Sequence, residues 1–321
     1  MSRLQASCAE KGPLCVGLDT DPSYLPPEVL RMYDSPADAV YAYNLALISE
    51  TASSAACFKV QIAYYEAMGL AGLSVYSKTL KAIRSAGIPS IADIKRGDIA
   101  DTAKAYARAH FEGDFEADIV TLNSYMGFET LDPFLEYFGK AGKGAFVLLR
   151  TSNPGMRDIE WLPLDVAVLN GASCPVGTCQ LPGTKYPDDS RVLDAVGMGI
   201  QCISARYGAV PKGGCGPLGA VVGCTEESDA RIIRDRYPEI FFLIPGYGAQ
   251  GGAARIAATL LDHAGGTVNS SRAILTAWKK DETLLIRGKA GELSMADIVE
   301  SAARAAFNAK AELLGAKKAL S

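Results

Sequence analysis

The sequence predicts a (β/α)8 barrel with an insertion between its fifth and sixth strands. Eight short apolar runs recur along the chain, and longer segments with helical spacing lie between them. Near-continuous apolar runs are typical of parallel strands that are buried on both faces. Eight such strands alternating with helices favour a barrel, and we interpret residues 1–321 as a single barrel domain. The runs lie at 14–19, 56–61, 89–95, 118–123, 144–150, 218–224, 239–245 and 266–271.

The segments between the runs support this interpretation. Residues 77–87 have helical spacing and end in glycine, and the Ala-rich residues 294–318 predict a helix that closes the barrel. Residues 160–215, rich in Gly, Pro, Ser and Cys, predict an inserted loop followed by a helix near 189–206. A doubly wound open sheet is the alternative, but residues 14–30 lack the Gly-rich phosphate turn that its first strand should enter.

Composition and charge exclude several classes of protein. Apolar residues make up 49% of the chain and charged residues 21%, which is ordinary for a soluble globular protein. A net charge of -4 with dispersed Lys and Arg argues against a nucleic-acid-binding surface. No apolar run approaches the roughly 20 residues that cross a bilayer, and the N-terminus lacks a secretory apolar region. We therefore expect a cytoplasmic protein that binds neither nucleic acid nor membrane.

Histidine and cysteine usage argues against hydrolase and metal chemistry. The two histidines, His110 and His263, are expected at the surface or at helix ends, so a Ser-His-Asp or Cys-His centre is disfavoured. The eight cysteines are expected to be reduced thiols. Four of them fall between positions 174 and 215, but their irregular spacing and the lack of a nearby histidine argue against a zinc site. We predict no metal site.

Charged side chains at the predicted strand ends form the candidate site. In such barrels functional groups lie at the C-terminal ends of the strands. Asp19 ends strand one, Lys59 and Gln61 share a face of strand two, and Asp93 and Lys95 share a face of strand three. Opposite charges about 4 Å apart attract by roughly 4 kcal/mol at an effective dielectric of about 20, so the set could keep a lysine protonated as an acid. A structural ion-pair network is the alternative.

Two further regions complete the candidate site. Asp98 is expected at the start of the next helix, with Thr102 one turn later on the same face. The Gly-rich loop 245–252 offers backbone N–H groups to an anion, and Arg272 follows strand eight at the start of a helix. Loops after strands seven and eight of a barrel often bind phosphate, so we predict a phosphate site there. A tight turn beside a solvated arginine is the alternative.

These motifs resemble those of one family. DIKRGDIADT (93–102) is similar to the D-x-K-x-x-D-I-x-x-T motif of orotidine 5'-monophosphate decarboxylases. Further matches follow in that family's order: GLD (17–19), FK (58–59), RTSNPG (150–155), PGYGAQGG (245–252) and SSR (270–272). The longer form, with FKVQIAYYE and RTSNPG, resembles a branch found in some bacteria and protists. The strand-three motif alone is shared with related sugar-phosphate barrels, and no family motif covers residues 160–215.

The resemblance implies decarboxylation of orotidine 5'-monophosphate to UMP, the last step of de novo pyrimidine biosynthesis, with no metal or cofactor. It implies that Lys95 protonates C6, that Asp93 faces the substrate carboxylate with Lys59 beside it, and that a homodimer shares its sites through Asp98. The other substrate contacts that it implies are Asp19 and Lys59 on the ribose, Ile99 and Thr102 with Asp98 from the neighbouring subunit, Ser152 on the pyrimidine amide edge, Pro245 and Gln250 in the Gly-rich loop, Arg272 on the phosphate, and Gln61 and Asn123 at the same mouth.

Two other functions stay open on the sequence. A related Mg²⁺-dependent sugar-phosphate synthase or decarboxylase resembles the chain at strand three, but it has a metal-binding Glu on strand two where this chain has Lys59. A non-catalytic nucleotide-binding protein would have lost catalytic positions that are all present here. Fusion or association with an orotate phosphoribosyltransferase, as in some protists, is a further open alternative.

Overall fold

The strands close into a parallel barrel in sequence order. The computed structural model describes residues 1–170, 185–208, 210, 213–247 and 253–320. Each strand pairs in parallel with the next, and the eighth pairs with the first. This confirms the predicted fold class, and each predicted run matches one strand, with β3 extending one residue beyond its run. The strands are β1 (Leu14–Gly17), β2 (Cys57–Gln61), β3 (Ser90–Arg96), β4 (Ile119–Leu122), β5 (Gly144–Arg150), β6 (Leu218–Val222), β7 (Phe242–Ile244) and β8 (Gly266–Ser270).

Helices connect successive strands around the outside of the barrel. Helix α1 (Ser2–Lys11) precedes β1. The helices between β1 and β8 are α2 (Pro27–Leu30), α3 (Pro36–Thr51), α4 (Ile62–Glu66), α5 (Gly69–Ser85), α6 (Ala100–Phe111), α7 (Asp132–Ala141), α8 (Val166–Leu169), α9 (Val192–Ala205), α10 (Glu227–Arg236) and α11 (Ala253–Leu260). Those after β8 are α12 (Arg272–Leu275), α13 (Glu282–Lys289) and α14 (Met295–Leu320). Short 3-10 helices span Pro22–Tyr24, Phe128–Leu131, Pro154–Asp158 and Ala277–Lys280. The helices predicted near 77–87, 189–206 and 294–318 are confirmed as parts of α5, α9 and α14.

Two terminal helices close the barrel. Helix α1 covers its N-terminal end, where Met1 and Leu4 pack in one apolar cluster with Cys15 and Phe146. Helix α14 packs against α3 and α11, which joins the beginning and the end of the barrel wall as predicted. No helix in the described part of the chain is long and apolar enough to span a membrane.

The alternation of side chains along the strands places polar groups above an apolar floor. Cys57 on β2 and Ile91 on β3 belong to the apolar cluster at the N-terminal end. Two residues further along each strand, the same face presents Lys59 and Asp93, because strand side chains repeat with period two. The strand register thus positions the charged groups at the C-terminal mouth of the barrel.

The helix after β3 begins later than the sequence predicted. Helix α6 starts at Ala100 with Ile99 as its N-cap, so Asp98 lies outside the helix. Ala100 has a left-handed φ of 47°, and the Asp98 carboxylate accepts a hydrogen bond from the Ile99 N–H at 2.8 Å. The expectation that Asp98 starts the helix is therefore wrong, since the chain turns locally before the helix begins.

The two histidines occupy different environments. His263 is exposed in the turn before β8. His110 lies in the last turn of α6, as the helix-end expectation states, but it is only 2% exposed, so surface placement is wrong for this residue. Its ring lies 6.0 Å from that of Phe115. Burial, together with the nearby Arg96, lowers the pKa of His110 to about 4, so it is neutral at pH 7.

The insertion packs on the barrel through α9. Gly197 lies against the ring of Tyr237, and a Cβ added there would lie 2.2 Å from Tyr237 Cζ. The Tyr237 hydroxyl donates to Asp194 at 2.8 Å, which fixes the ring. Residues 171–184, which include Cys174 and Cys179, lie outside the described residues. A close glycine contact and a buried hydrogen bond therefore fix α9 on the barrel.

A methyl group added at Gly197 should disrupt the packing of α9 against Tyr237 of the barrel. We predict that Gly197→Ala lowers the free energy of unfolding by about 1–3 kcal/mol, because the fixed Tyr237 ring cannot make room. Gly315→Ala is the matched control, since Gly315 is an exposed glycine of α14 with no atom within 4 Å of the added Cβ. It should instead stabilise by roughly 0.5–1 kcal/mol. Urea unfolding of both variants measures this, and equal stabilities would contradict the packing of α9.

Candidate active site

Four charged side chains alternate across the ends of β1, β2 and β3. Lys59 Nζ donates to Asp19 Oδ1 at 2.9 Å and to Asp93 Oδ2 at 3.0 Å. Lys95 Nζ donates to the other oxygen of Asp93, Oδ1, at 2.6 Å. The structure thus brings the predicted set together as one continuous chain of ion pairs, Asp19–Lys59–Asp93–Lys95, called the charge array below.

The charge array is buried in its middle and open at one end. The side chains of Lys59 and Asp93 are 5% and 9% exposed, whereas that of Lys95 is 46% exposed. Burial acts to lower the pKa of Lys59, but Asp19 and Asp93 outweigh it and the pKa is raised. Burial acts to raise the pKa of Asp93, but Lys59 and Lys95 outweigh it and the pKa is lowered. Both central groups are therefore charged at neutral pH, and the exposed ammonium group of Lys95 is available to a ligand.

A buried threonine of β4 holds Lys95 in an unusual backbone conformation. Lys95 has a φ of 46°, in the left-handed region that a non-glycine residue occupies at a cost of about 1–3 kcal/mol. Thr121 Oγ1 accepts hydrogen bonds from the N–H groups of Ile94 and Lys95, both at 2.9 Å. The same hydroxyl donates to Asp93 Oδ1 at 2.9 Å. One side chain therefore fixes the backbone of Lys95 and one oxygen of its carboxylate partner.

Thr121 was not predicted as a site residue. It is two residues before Asn123, which the resemblance implies at the mouth, so period two along β4 would have placed Thr121 on the same face. No sequence pattern predicts its hydrogen bonds, because they join β4 to the part of β3 where the strand register is irregular, between Ala92 and Arg96.

A cavity of about 690 Å³ opens beside the charge array, within the size range of ligand pockets. Its described lining combines Asp19, Lys59 and Asp93 with Arg272, at the first residue of α12. One cavity therefore offers three members of the charge array and a separate cation to the same ligand, while Lys95, the fourth member, is not part of its described lining. Pro245, Gly246 and Tyr247 of the Gly-rich loop and Ser271 of the SSR motif also line it. Lining residues that the sequence did not single out are Tyr24, Tyr64, Asn269, Ala273, Thr276 and Lys280.

Other predicted residues lie apart from this cavity. Gln61 accepts a hydrogen bond from the Ala63 N–H at the start of α4, and Asn123 accepts one from the Tyr125 N–H. Both amides serve local turns and are absent from the described cavity lining. Ser152 is exposed in the loop after β5, and Gln250 lies outside the described residues.

Asp98, Ile99 and Thr102 lie beyond the end of β3, also outside the described lining of the cavity. Ile99 is 53% exposed and Thr102 is exposed at the start of α6. Within the described residues, no group of three or more His, Cys, Asp or Glu side chains is arranged to hold a metal ion.

Comparison with known proteins identifies one family. A model of the orotidine 5'-phosphate decarboxylase / HUMPS family matches residues 12–168. A structure described as a putative orotidine 5'-phosphate decarboxylase from Streptomyces avermitilis aligns with a TM-score of 0.69 at 26% identity, covering 98% of this chain and 95% of that one. The Leishmania donovani UMP synthase structure aligns with a TM-score of 0.65 at 28% identity, covering 92% of this chain and 56% of that one.

Sequence similarity to one curated relative extends over most of the chain. The orotidine 5'-phosphate decarboxylase of Clostridium botulinum (strain Loch Maree / Type A3) is 48% identical over 283 residues, covering 87% of this chain and 90% of that protein. The chain belongs to the orotidine 5'-phosphate decarboxylase family.

Proposed function

We propose that this protein decarboxylates orotidine 5'-monophosphate to UMP, the last step of de novo pyrimidine biosynthesis, in the cytoplasm and without metal or cofactor. The observation that supports this most is the Lys95 ammonium group, held at the open end of the charge array. Breaking the bond between C6 and the carboxylate leaves an electron pair on C6 and releases CO2. A fixed positive charge stabilises that pair as it develops, and a proton from Lys95 then completes UMP.

The interior of the charge array supports this role for Lys95. Asp93 accepts hydrogen bonds from two ammonium groups, which keep it ionised and let it orient Lys95. In the proposed complex Asp93 would face the substrate carboxylate. Lys59 is held by two carboxylates, and with Asp19 it would bind the ribose hydroxyls. Lys95 becomes neutral when it gives up its proton and recovers one from solvent before the next cycle.

The phosphate end of the substrate provides binding energy away from the reacting carbon. Arg272 would hold the phosphate from the start of α12. Gln250 would bridge base and phosphate, Pro245 would line the site, and Ser152 would bond the pyrimidine amide edge. Binding at this remote group helps to assemble the site around C6, which raises turnover as well as affinity.

We further propose a homodimer with shared sites. The exposed positions of Ile99 and Thr102, outside their own barrel's cavity, suit contacts with a neighbouring subunit. In a two-fold dimer each subunit would then supply Asp98, Ile99 and Thr102 to its partner's charge array. Gln61 and Asn123 would contact substrate only after leaving their present turns. Association with an orotate phosphoribosyltransferase stays a prediction.

The alternatives explain the site less well. A Mg²⁺-dependent sugar-phosphate enzyme needs an acidic metal ligand on strand two, and here Lys59 brings a buried positive charge to that position. A non-catalytic nucleotide-binding protein gives no reason to maintain Lys95 in a left-handed conformation beside a buried carboxylate.

Activity should not depend on a metal ion. We predict that the purified protein converts orotidine 5'-monophosphate to UMP at the same rate with and without excess EDTA, because Lys59 takes the place of a metal ligand. The decrease in substrate absorbance measures the rate, and a Mg²⁺-dependent enzyme assayed in parallel confirms that the chelator works. Loss of activity that added Mg²⁺ restores would contradict the proposal.

Two inactive variants should restore activity to each other if the site is shared. Lys95→Ala should lose at least the roughly 10²–10⁴-fold that a general acid contributes, and Asp98→Ala should also be badly impaired. In a mixed dimer, one site receives both defects and the other receives neither. Half of the dimers are mixed at random exchange, so about a quarter of wild-type sites should reappear.

The control for this experiment is an independent measure of subunit exchange, such as energy transfer between labelled subunits. Exchange without recovered activity would mean that Asp98 serves its own chain and that the shared site is wrong.

A further inference from the structure

We infer that Glu160, at the start of the insertion, is a positioning residue that fixes the loop after β5 so that Ser152 meets the pyrimidine base. The inference rests on the proposed function, because it assigns Ser152 to the base. It also gives the insertion a task, namely to hold Glu160 in place.

Three hydrogen bonds join Thr151 of this loop to the Glu160 carboxylate. The Thr151 N–H donates to Glu160 Oε2 at 3.0 Å and to Oε1 at 3.2 Å. The Thr151 hydroxyl donates to Oε1 at 2.6 Å. Hydrogen bonds to an ionised acceptor are stronger than neutral ones, so this carboxylate fixes the peptide unit between Arg150 and Thr151.

The next peptide unit, between Thr151 and Ser152, is held by the guanidinium group of Arg150. Arg150 is only 2% exposed, and its guanidinium donates to the Thr151 carbonyl oxygen, to the Gly223 carbonyl oxygen at 3.1 Å and to Asp229 Oδ2 at 3.1 Å. The Thr151 carbonyl belongs to the peptide bond that precedes Ser152. Two consecutive peptide planes are therefore held, and together they set the direction in which Ser152 leaves the strand.

Ser152 lies beside a residue of the cavity wall. Gly223, just after β6, separates Ser152 from Pro245, and a Cβ built on Gly223 would lie 3.0 Å from Ser152 Cβ and 3.1 Å from Pro245 Cγ. Pro245 lines the cavity that contains the charge array. A small rotation of the loop would therefore move the Ser152 hydroxyl relative to a base bound in that cavity.

The backbone at Glu160 is held by the insertion itself. The Leu193 N–H, at the start of α9, donates to the Glu160 carbonyl oxygen at 3.0 Å. The guanidinium groups of Arg150, Arg157 and Arg191 lie 5.6, 5.1 and 4.7 Å from the centroid of the Trp161 ring. Helix α9 is itself fixed to the barrel, because Asp194 accepts from Tyr237 and from Arg236 at 2.8 and 2.7 Å. The barrel, α9, Glu160 and the Ser152 loop thus form one connected unit.

The test uses two ligands that differ only in the base. UMP should bind to Glu160→Gln about tenfold more weakly than to wild type, the scale of a lost charge-assisted hydrogen bond. Ribose 5-phosphate, which lacks the base, should bind equally well to both. The value of kcat/KM for orotidine 5'-monophosphate should fall with the UMP affinity.

Two companion variants make the test specific. Asp165→Asn removes another carboxylate of the insertion, one that caps α8 through the Val168 N–H and does not contact the Ser152 loop, so its kinetics should match wild type. In a Ser152→Ala background, Glu160→Gln should have little further effect, because both changes remove the same contact. If Glu160→Gln does not fold, Thr151→Val removes the hydrogen bond from the Thr151 hydroxyl to Glu160. It should weaken UMP binding less than Glu160→Gln and leave ribose 5-phosphate binding unchanged.

Several results would overturn the inference. Equal weakening of UMP and ribose 5-phosphate would make Glu160 a general structural residue, and effects that add in the Ser152→Ala background would show that it does not act through Ser152. Unchanged UMP affinity in Glu160→Gln would also overturn it and leave the proposed function standing. A wild-type protein that binds no UMP would overturn both.

Discussion

Lys59 donates to both Asp19 and Asp93, while Lys95 donates to the remaining oxygen of Asp93, and the rest of the site depends on these hydrogen bonds. The two central groups are nearly fully buried, and removing one partner of a buried ion pair typically costs about 3–5 kcal/mol. Each therefore needs both of its neighbours. Lys95 is the exposed end of the array, and Thr121 fixes its backbone.

This arrangement suits a reaction in which charge must be stabilised without a metal or an electron sink. In the proposed reaction the positive end of the array is already in place when an electron pair develops on C6, so little reorganisation is needed. In the proposed function, Arg272 would bind the phosphate, a part of the substrate that does not react, and that binding energy would help to assemble the site. The insertion would contribute through Glu160, which we infer to position the loop that bears Ser152.

The sequence was sufficient to predict the barrel and the charge array, but not the fine geometry of the site. Period two places Lys59 and Asp93 on inward faces, and parallel pairing brings their strand ends together. The left-handed turn at Lys95 could not be predicted, because Thr121 imposes it from a different strand. The contact of Glu160 with Thr151 was equally hidden, since it depends on how the insertion packs. Asp98 was assigned to a helix that starts two residues later, because the local turn competes with helical spacing.

A crystal structure of the wild-type protein with UMP bound tests most directly whether Lys95 is the proton donor at C6. We predict UMP in the cavity beside the charge array, with C6 about 3–3.5 Å from Lys95 Nζ and the phosphate against Arg272. The opposite orientation, with the phosphate on Lys59 and Lys95 and the base near Arg272, would contradict this assignment, because the Lys95 ammonium group would then not face the carbon that loses CO2.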